Sequence, residues 1–225
     1  MLLCGPPGTG KTLLVRYLSS ILNCEMKNIE LLSGPKIYNK WKKTEVDVGK
    51  IFTKTLKVAQ APTNQNETFL LVIDEIDAIL SPCSNESNNS CIHSVVDKFL
   101  AQMDALRNVY NILVIGMTNH FEKIDEAVAR LGLFDKHIEI AVPDFQGRKE
   151  LLHMYTLPLV KQGLLATDID FDVIAQKSEG LTGADISAFV RQAMASTLKR
   201  MMESGNTLLT MNDLWLALNE VKTRH

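Results

Sequence analysis

Eight residues, Gly5-Pro6-Pro7-Gly8-Thr9-Gly10-Lys11-Thr12, constrain the fold of this chain more than any others. They fit the spacing G-x-x-x-x-G-K-[ST] without a mismatch. The glycines let backbone N–H groups turn inward toward phosphate oxygens, a geometry that side chains obstruct. A helical pattern follows the loop, and the positive end of that helix adds to the same field. In a loop of this type Lys11 reaches the β and γ phosphates, and the Thr12 hydroxyl sits on Mg²⁺. The apolar run 1–4 ahead of the loop reads as a strand. Strand, loop and helix in that order predict an open α/β sheet with the loop at its C-terminal edge.

A second apolar run, 69–73, ends in Asp74 and Glu75, which places two carboxylates at the edge where the loop lies. Asp74 is the expected holder of the Mg²⁺ shell. Glu75 is the expected general base that polarises an attacking water. A third run, 112–115, leads through Gly116-Met117-Thr118 to Asn119, whose amide is a candidate sensor for both the γ-phosphate and the water. His120 reads as a surface residue rather than a ligand.

Stretches 28–32 and 138–142 complete the strand candidates. Helical patterns over 12–22, 46–60 and 94–106 alternate with them, which argues a doubly wound parallel sheet. Beyond Pro143 only helical patterns follow, over 145–161, 172–177, 183–203 and 211–221. Thr182 with Asp185, and Thr210 with Asp213, carry the spacing of N-terminal capping boxes. The chain therefore reads as an α/β core over 1–143 and a small all-helical domain over 144–225.

Charge narrows the function. Twenty-four basic residues against 26 acidic ones leave −2, too little field to draw in nucleic acid or an anionic membrane. No apolar run approaches the ~18 residues of a membrane span. Cys4, Cys24, Cys83 and Cys91 lack CxxC or metal spacing, so free thiols in a reducing, cytoplasmic setting are expected. The short lead before the loop is expected to mean that the chain begins partway through a domain.

GPPGTGKT, LLVIDEID, ILVIGMTN, the run from Ile124 to Arg130 and GLTGAD, in this order, resemble the AAA ATPase family over essentially the whole chain. The resemblance implies a P-loop NTPase core with a helical lid, and ATP and Mg²⁺ as ligands. It further implies a homo-hexamer in the full-length protein, whose subunits share nucleotide sites and draw substrate through a central pore. The loop residues, Asp74, Tyr155, Gly183 and Ala184 would then contact nucleotide, with Tyr155 standing where relatives place a histidine near the ribose. Arg130 would act in trans on a neighbour's γ-phosphate, an effect worth about 10³ to 10⁵ in rate. Its other reading is a solvated charge at a helix end.

Within the family the wording most resembles the first ATPase domain of the N-ethylmaleimide-sensitive fusion factor, a vesicle-fusing type. The valosin-containing-protein type of unfoldase is the runner-up. The first of these implies SNARE complexes as substrate, reached through a SNAP-type adaptor, with no nucleic acid and only indirect membrane contact.

Several positions depart from the family pattern. Leu133 stands where a second arginine belongs, and leucine cannot replace a planar cation. Trp41, Lys42 and Lys43 align with the substrate pore loop, where they make a basic, aromatic grip suited to acidic substrates. Their other reading is a solvated lysine cluster beside a partly buried tryptophan. Asp104-Ala105-Leu106 lacks the family's glycine, so a stiffer loop is expected. Family members also carry an upstream segment over the adenine, so adenine recognition is expected to be half absent here. An ATP-hydrolysing motor and a non-hydrolysing ring subunit both fit these residues.

Overall fold

The computed structural model describes the backbone of residues 1–43, 47–61, 64, 66–81, 89–124, 134, 136–204 and 208–223. The side chains of 40–43, 47, 48, 51, 89–95, 203 and 204 lie outside that description. By packing, the chain forms two units: Met1–Gly5 with Lys11–Ile140, and Pro6–Gly10 with Ala141–His225.

The first unit holds β1 (Leu2–Cys4), β2 (Ile29–Ser33), β3 (Phe69–Asp74), β4 (Ile112–Thr118) and β5 (His137–Glu139) in one sheet, ordered β2-β3-β4-β1-β5. All the pairings are parallel. Parallel neighbours need crossovers. Helix α1 (Lys11–Ile21) leads from β1 to β2, α2 (Gly34–Lys43) and α3 (Asp47–Ala59) lead to β3, and α4 (Asp77–Leu80) and α5 (Asn89–Arg107) lead to β4.

The position of β3 inside the sheet explains why its sequence is a continuous apolar run. Leu71 and Ile73 face Phe52 of α3 and Phe99 of α5, whereas Leu70 and Val72 face Val15 of α1. All four strand residues are fully buried, because both sheet faces are covered. Phe52 and Phe99 meet edge to face, with ring centroids 6.1 Å apart.

Four local readings of the sequence differ from the structure. Helix α2 has too few apolar residues to announce itself by periodicity; its signal is Pro35 in the first turn, where a missing N–H costs nothing. The backbone of Trp41, Lys42 and Lys43, expected in a substrate loop, is the last part of this helix, and their side chains lie outside the described residues. Asp104-Ala105-Leu106 lies inside α5 rather than in a loop, so Ala105 supports a helix instead of stiffening a turn. Strand β5 runs over His137–Glu139 rather than 138–142. Among the described residues it pairs with β1 alone and stops where β1 does, at Cys4 opposite Glu139.

The second unit is built of α6 (Phe145–Lys161), α7 (Phe171–Lys177), α8 (Gly183–Ser204) and α9 (Met211–Lys222). Leu152, Ile174, Phe189, Val190, Leu214 and Leu218 form its core. One parallel bridge, Leu165 with Leu209, joins the helices. Buried Arg148 ties α6 to its neighbours, Nε donating to the Ala175 carbonyl at 2.9 Å and Nη1 to the Pro143 carbonyl at 2.9 Å. Both predicted capping boxes form, at Thr182 with Asp185 and at Thr210 with Asp213. Among the described residues, no helix is long and apolar enough to cross a membrane.

Asp213 is buried and also accepts from Arg200, with Nη2 at 2.8 Å from Oδ2. Burial pushes its carboxyl up, but the Arg200 hydrogen bonds, the Thr210 backbone and hydroxyl, and the Arg200 charge outweigh that and hold it below the usual range. A carboxyl depressed in the folded state stabilises above its unfolded pKa of about 3.9, and that stability is lost as pH falls through the folded value. Asp213→Asn is therefore expected to cost about 1–3 kcal/mol near neutral pH. The variant should also lose less further stability than the wild type on acidification below about pH 4. Thermal unfolding followed by circular dichroism at the two pH values checks both.

Candidate functional site

The register of the sheet assembles the site's first half. Cys4 of β1 lies opposite Thr118 of β4, and Ile73 of β3 lies opposite Gly116. Gly5, Asp74 and Asn119 therefore leave their strands at one edge. Lys11 opens α1 and is 7 % exposed, with its Nζ donating to the Gly5 carbonyl at 2.7 Å. Burial pushes the Lys11 ammonium below its usual pKa, and the negative charge of Asp74 draws it part of the way back. A desolvated cation of this kind gains from an anion placed beside it. Thr12, the second residue of α1, is exposed at the helix start.

Asp74 and Glu75 form a tight turn. The Glu75 N–H donates to Asp74 Oδ1 at 2.9 Å, and Glu75 has a φ of +52°, in the left-handed region. Non-glycine residues held there cost about 1–3 kcal/mol and concentrate at functional sites. The Glu75 side chain is exposed.

Two residues that sequence reasoning missed hold this turn. Gly34, after β2, passes so close that a Cβ on it would stand 2.1 Å from the Glu75 carbonyl oxygen. Asp77, at the start of α4, accepts from the Thr118 hydroxyl at 2.7 Å, and the same hydroxyl oxygen accepts from the His120 N–H at 2.9 Å. Asn119 is thereby bracketed on both sides. The signal for Asp77 was present in the word DEID; nothing local marks Gly34. His120 lies on the surface as expected, its Nδ1 3.0 Å from Glu122.

The second unit holds the loop residues Pro6–Gly10 against the start of α8. Gly5, Gly8 and Gly10 have φ of +147°, +80° and +100°. Thr9 Oγ1 donates to the Pro6 carbonyl at 2.9 Å and closes the loop on itself. The Ala184 N–H donates to the Gly8 carbonyl at 3.1 Å. A Cβ on Gly8 would lie 2.7 Å from Thr182 Oγ1 and 2.8 Å from the Ala184 Cβ, so glycine is required on steric as well as conformational grounds. Gly183 accepts at its carbonyl from the Tyr155 hydroxyl at 3.5 Å. The turn Gly183-Ala184 and Tyr155 thus meet in this unit. Arg130 and Leu133 lie outside the described residues, as do Cys83 and the side chain of Cys91. Cys4 and Cys24 are free thiols.

The loop geometry suits phosphate, and a hydroxyl at Thr12 with a carboxylate at Asp74 is an oxygen donor set suited to Mg²⁺. Residues 1–142 match the family of ATPases associated with various cellular activities, and residues 168–214 match the AAA+ lid domain. The chain belongs to the AAA ATPase family.

Three relatives show where in that family its likenesses lie. The vesicular-fusion protein sec18 of Schizosaccharomyces pombe is 32% identical over 99% of this chain and 29% of its own length. The vesicle-fusing ATPase of Arabidopsis thaliana is 32% identical over 99% of this chain and 31% of its own. A AAA family ATPase of Acanthamoeba polyphaga mimivirus is 39% identical over 95% of this chain and 25% of its own. The chain thus spans about a quarter to a third of the length of these relatives.

Gly34→Ala is expected to cost about 1–3 kcal/mol, because backbone rather than a flexible side chain meets the new methyl group. Urea unfolding measures the loss. An unchanged midpoint would mean that the Asp74–Glu75 turn is not held from this side.

Proposed function

We propose that this chain is the ATP-hydrolysing module of a vesicle-fusing type of motor, with 1–143 as nucleotide-binding core and 144–225 as lid. The observation that carries the reading is the shared edge at which Lys11, Asp74, Glu75 and Asn119 emerge, with Lys11 within electrostatic reach of Asp74. The loop N–H groups and Lys11 bind the phosphates. Thr12 and Asp74 would hold Mg²⁺, which when bound neutralises charge on the phosphate oxygens. Glu75 takes a proton from the attacking water, and Asn119 orients that water against the γ-phosphate. Water oxygen bonds to the γ-phosphorus as the bond to the β-phosphate oxygen breaks, leaving ADP and inorganic phosphate.

In the full-length protein we place Arg130 on a neighbour's nucleotide within a cytoplasmic homo-hexamer, and Trp41, Lys42 and Lys43 against the substrate. The names of the Schizosaccharomyces and Arabidopsis relatives support vesicle fusion as the setting. SNARE complexes, engaged through a SNAP-type adaptor, are the substrate this reading carries. Leu133 supports a second reading, a ring subunit that binds nucleotide without turning it over.

Two measurements decide. Phosphate release from Mg-ATP should fall about 100-fold or more in Glu75→Gln while ATP binding persists, and Lys11→Ala should lose binding as well. A wild-type rate equal to that of Glu75→Gln sinks the hydrolase reading and leaves the nucleotide-binding subunit. Adaptor-dependent release of SNARE complexes tests the substrate. Activity on another folded protein without such release points to the valosin-containing-protein type of unfoldase.

A further inference from the structure

The contact between Gly8 and the start of α8 does more than fill space. A trans peptide is planar, with its C=O and N–H pointing in opposite directions. The Ala184 N–H holds the Gly8 carbonyl at 3.1 Å, so the N–H of Thr9, in the same peptide plane, is turned to the far side, away from α8. A phosphate loop works by presenting such N–H groups together.

The grip depends on how the turn before α8 is held. Asp185 Oδ2 accepts from the Thr182 N–H at 2.9 Å and from the Thr182 hydroxyl at 2.6 Å. The Asp185 N–H donates back to Thr182 Oγ1 at 3.3 Å. This reciprocal box encloses Gly183 and Ala184. The Thr182 hydroxyl oxygen also stands where a Cβ on Gly8 would come within 2.7 Å, so the box is seated directly on the loop. The equivalent box at Thr210 and Asp213 starts α9 and is part of the same helical unit.

We propose that Asp185 is a positioning residue for phosphate binding: through Thr182 it holds Ala184 against Gly8, and so sets the direction of the Thr9 N–H. It does not touch the nucleotide. This inference rests on the ATP reading above, and it makes the phosphate affinity of the loop depend on the first turn of α8.

The test compares Mg-ATP affinity by equilibrium titration, and KM with kcat where turnover is measurable, at a temperature well below unfolding. Asp185→Ala should weaken affinity at least tenfold and raise KM alike, with kcat within about threefold, because the lost interaction serves binding. Asp185→Glu should stay close to wild type, since glutamate is the usual third-position partner in such boxes. Ala184→Pro deletes the donor itself at a place where a helix tolerates proline, and should weaken affinity whether or not Asp185→Ala folds. Thr210→Ala is the control that weakens a helix start away from the loop, and should leave affinity unchanged.

Affinity within twofold of wild type in a folded Asp185→Ala and in Ala184→Pro overturns the proposal. So does an equal loss in Thr210→Ala. If the wild type itself binds no Mg-ATP, it is the nucleotide reading that fails.

Discussion

A strand of only three residues carries the phosphate loop, and it keeps its place because it is bonded on both sides. Leu2, Leu3 and Cys4 pair with Gly116, Met117 and Thr118 of β4, and also with His137, Ile138 and Glu139 of β5. Leu2 and Leu3 are buried against opposite faces of the sheet. Such a strand has little stability of its own, and its position is inherited from its neighbours. The distance from Gly5 to Asp74 and to Asn119 is therefore a property of β3 and β4, the longest strands described. Damage to their packing would reach the loop without touching it.

Around that edge one close backbone approach and one side-chain hydrogen bond hold the turn that carries the acids. Gly34, the first residue of α2 just after β2, presses on the Glu75 carbonyl, and Asp77 reaches across to Thr118 on β4. Each contact joins elements far apart in sequence, so the turn after β3 is braced by strands on both flanks. The loop residues Pro6–Gly10 are held by a backbone hydrogen bond, the Gly8 carbonyl accepting from the Ala184 N–H. The backbone around the acids and the loop is thus held by residues far from them in sequence.

Much of this was legible in the residues. The run Phe69 to Ile73 told of a strand covered on both faces, and the two Thr-x-x-Asp words told where α8 and α9 begin. Gly5 to Thr12 announced the loop because its requirements are local: positive φ, no side chains, then a helix. What escaped was set by tertiary contact. Helix α2 carries Ile37 and Tyr38 but no continuous apolar stripe, and its placement comes from packing on β2 and α4. The end of β5 was misjudged because an edge strand stops where its partner stops. Gly34 could not be distinguished from any turn glycine, since the atom that requires it belongs to Glu75. Ala105 was misread for the opposite reason: a family pattern suggested a loop where alanine's own preference for helix was the better guide.

Glu75 and Asn23 are the described non-glycine residues with positive φ, at +52° and +48°. Asparagine is at ease in that region; glutamate is not. A search for stabilising substitutions in this protein would be drawn to position 75, where glycine relieves the backbone at once. It would find its gain at the side chain proposed above as the base. On that proposal, tolerance to heat and competence in turnover are opposed at a single dihedral angle, and selecting for either one alone would erode the other.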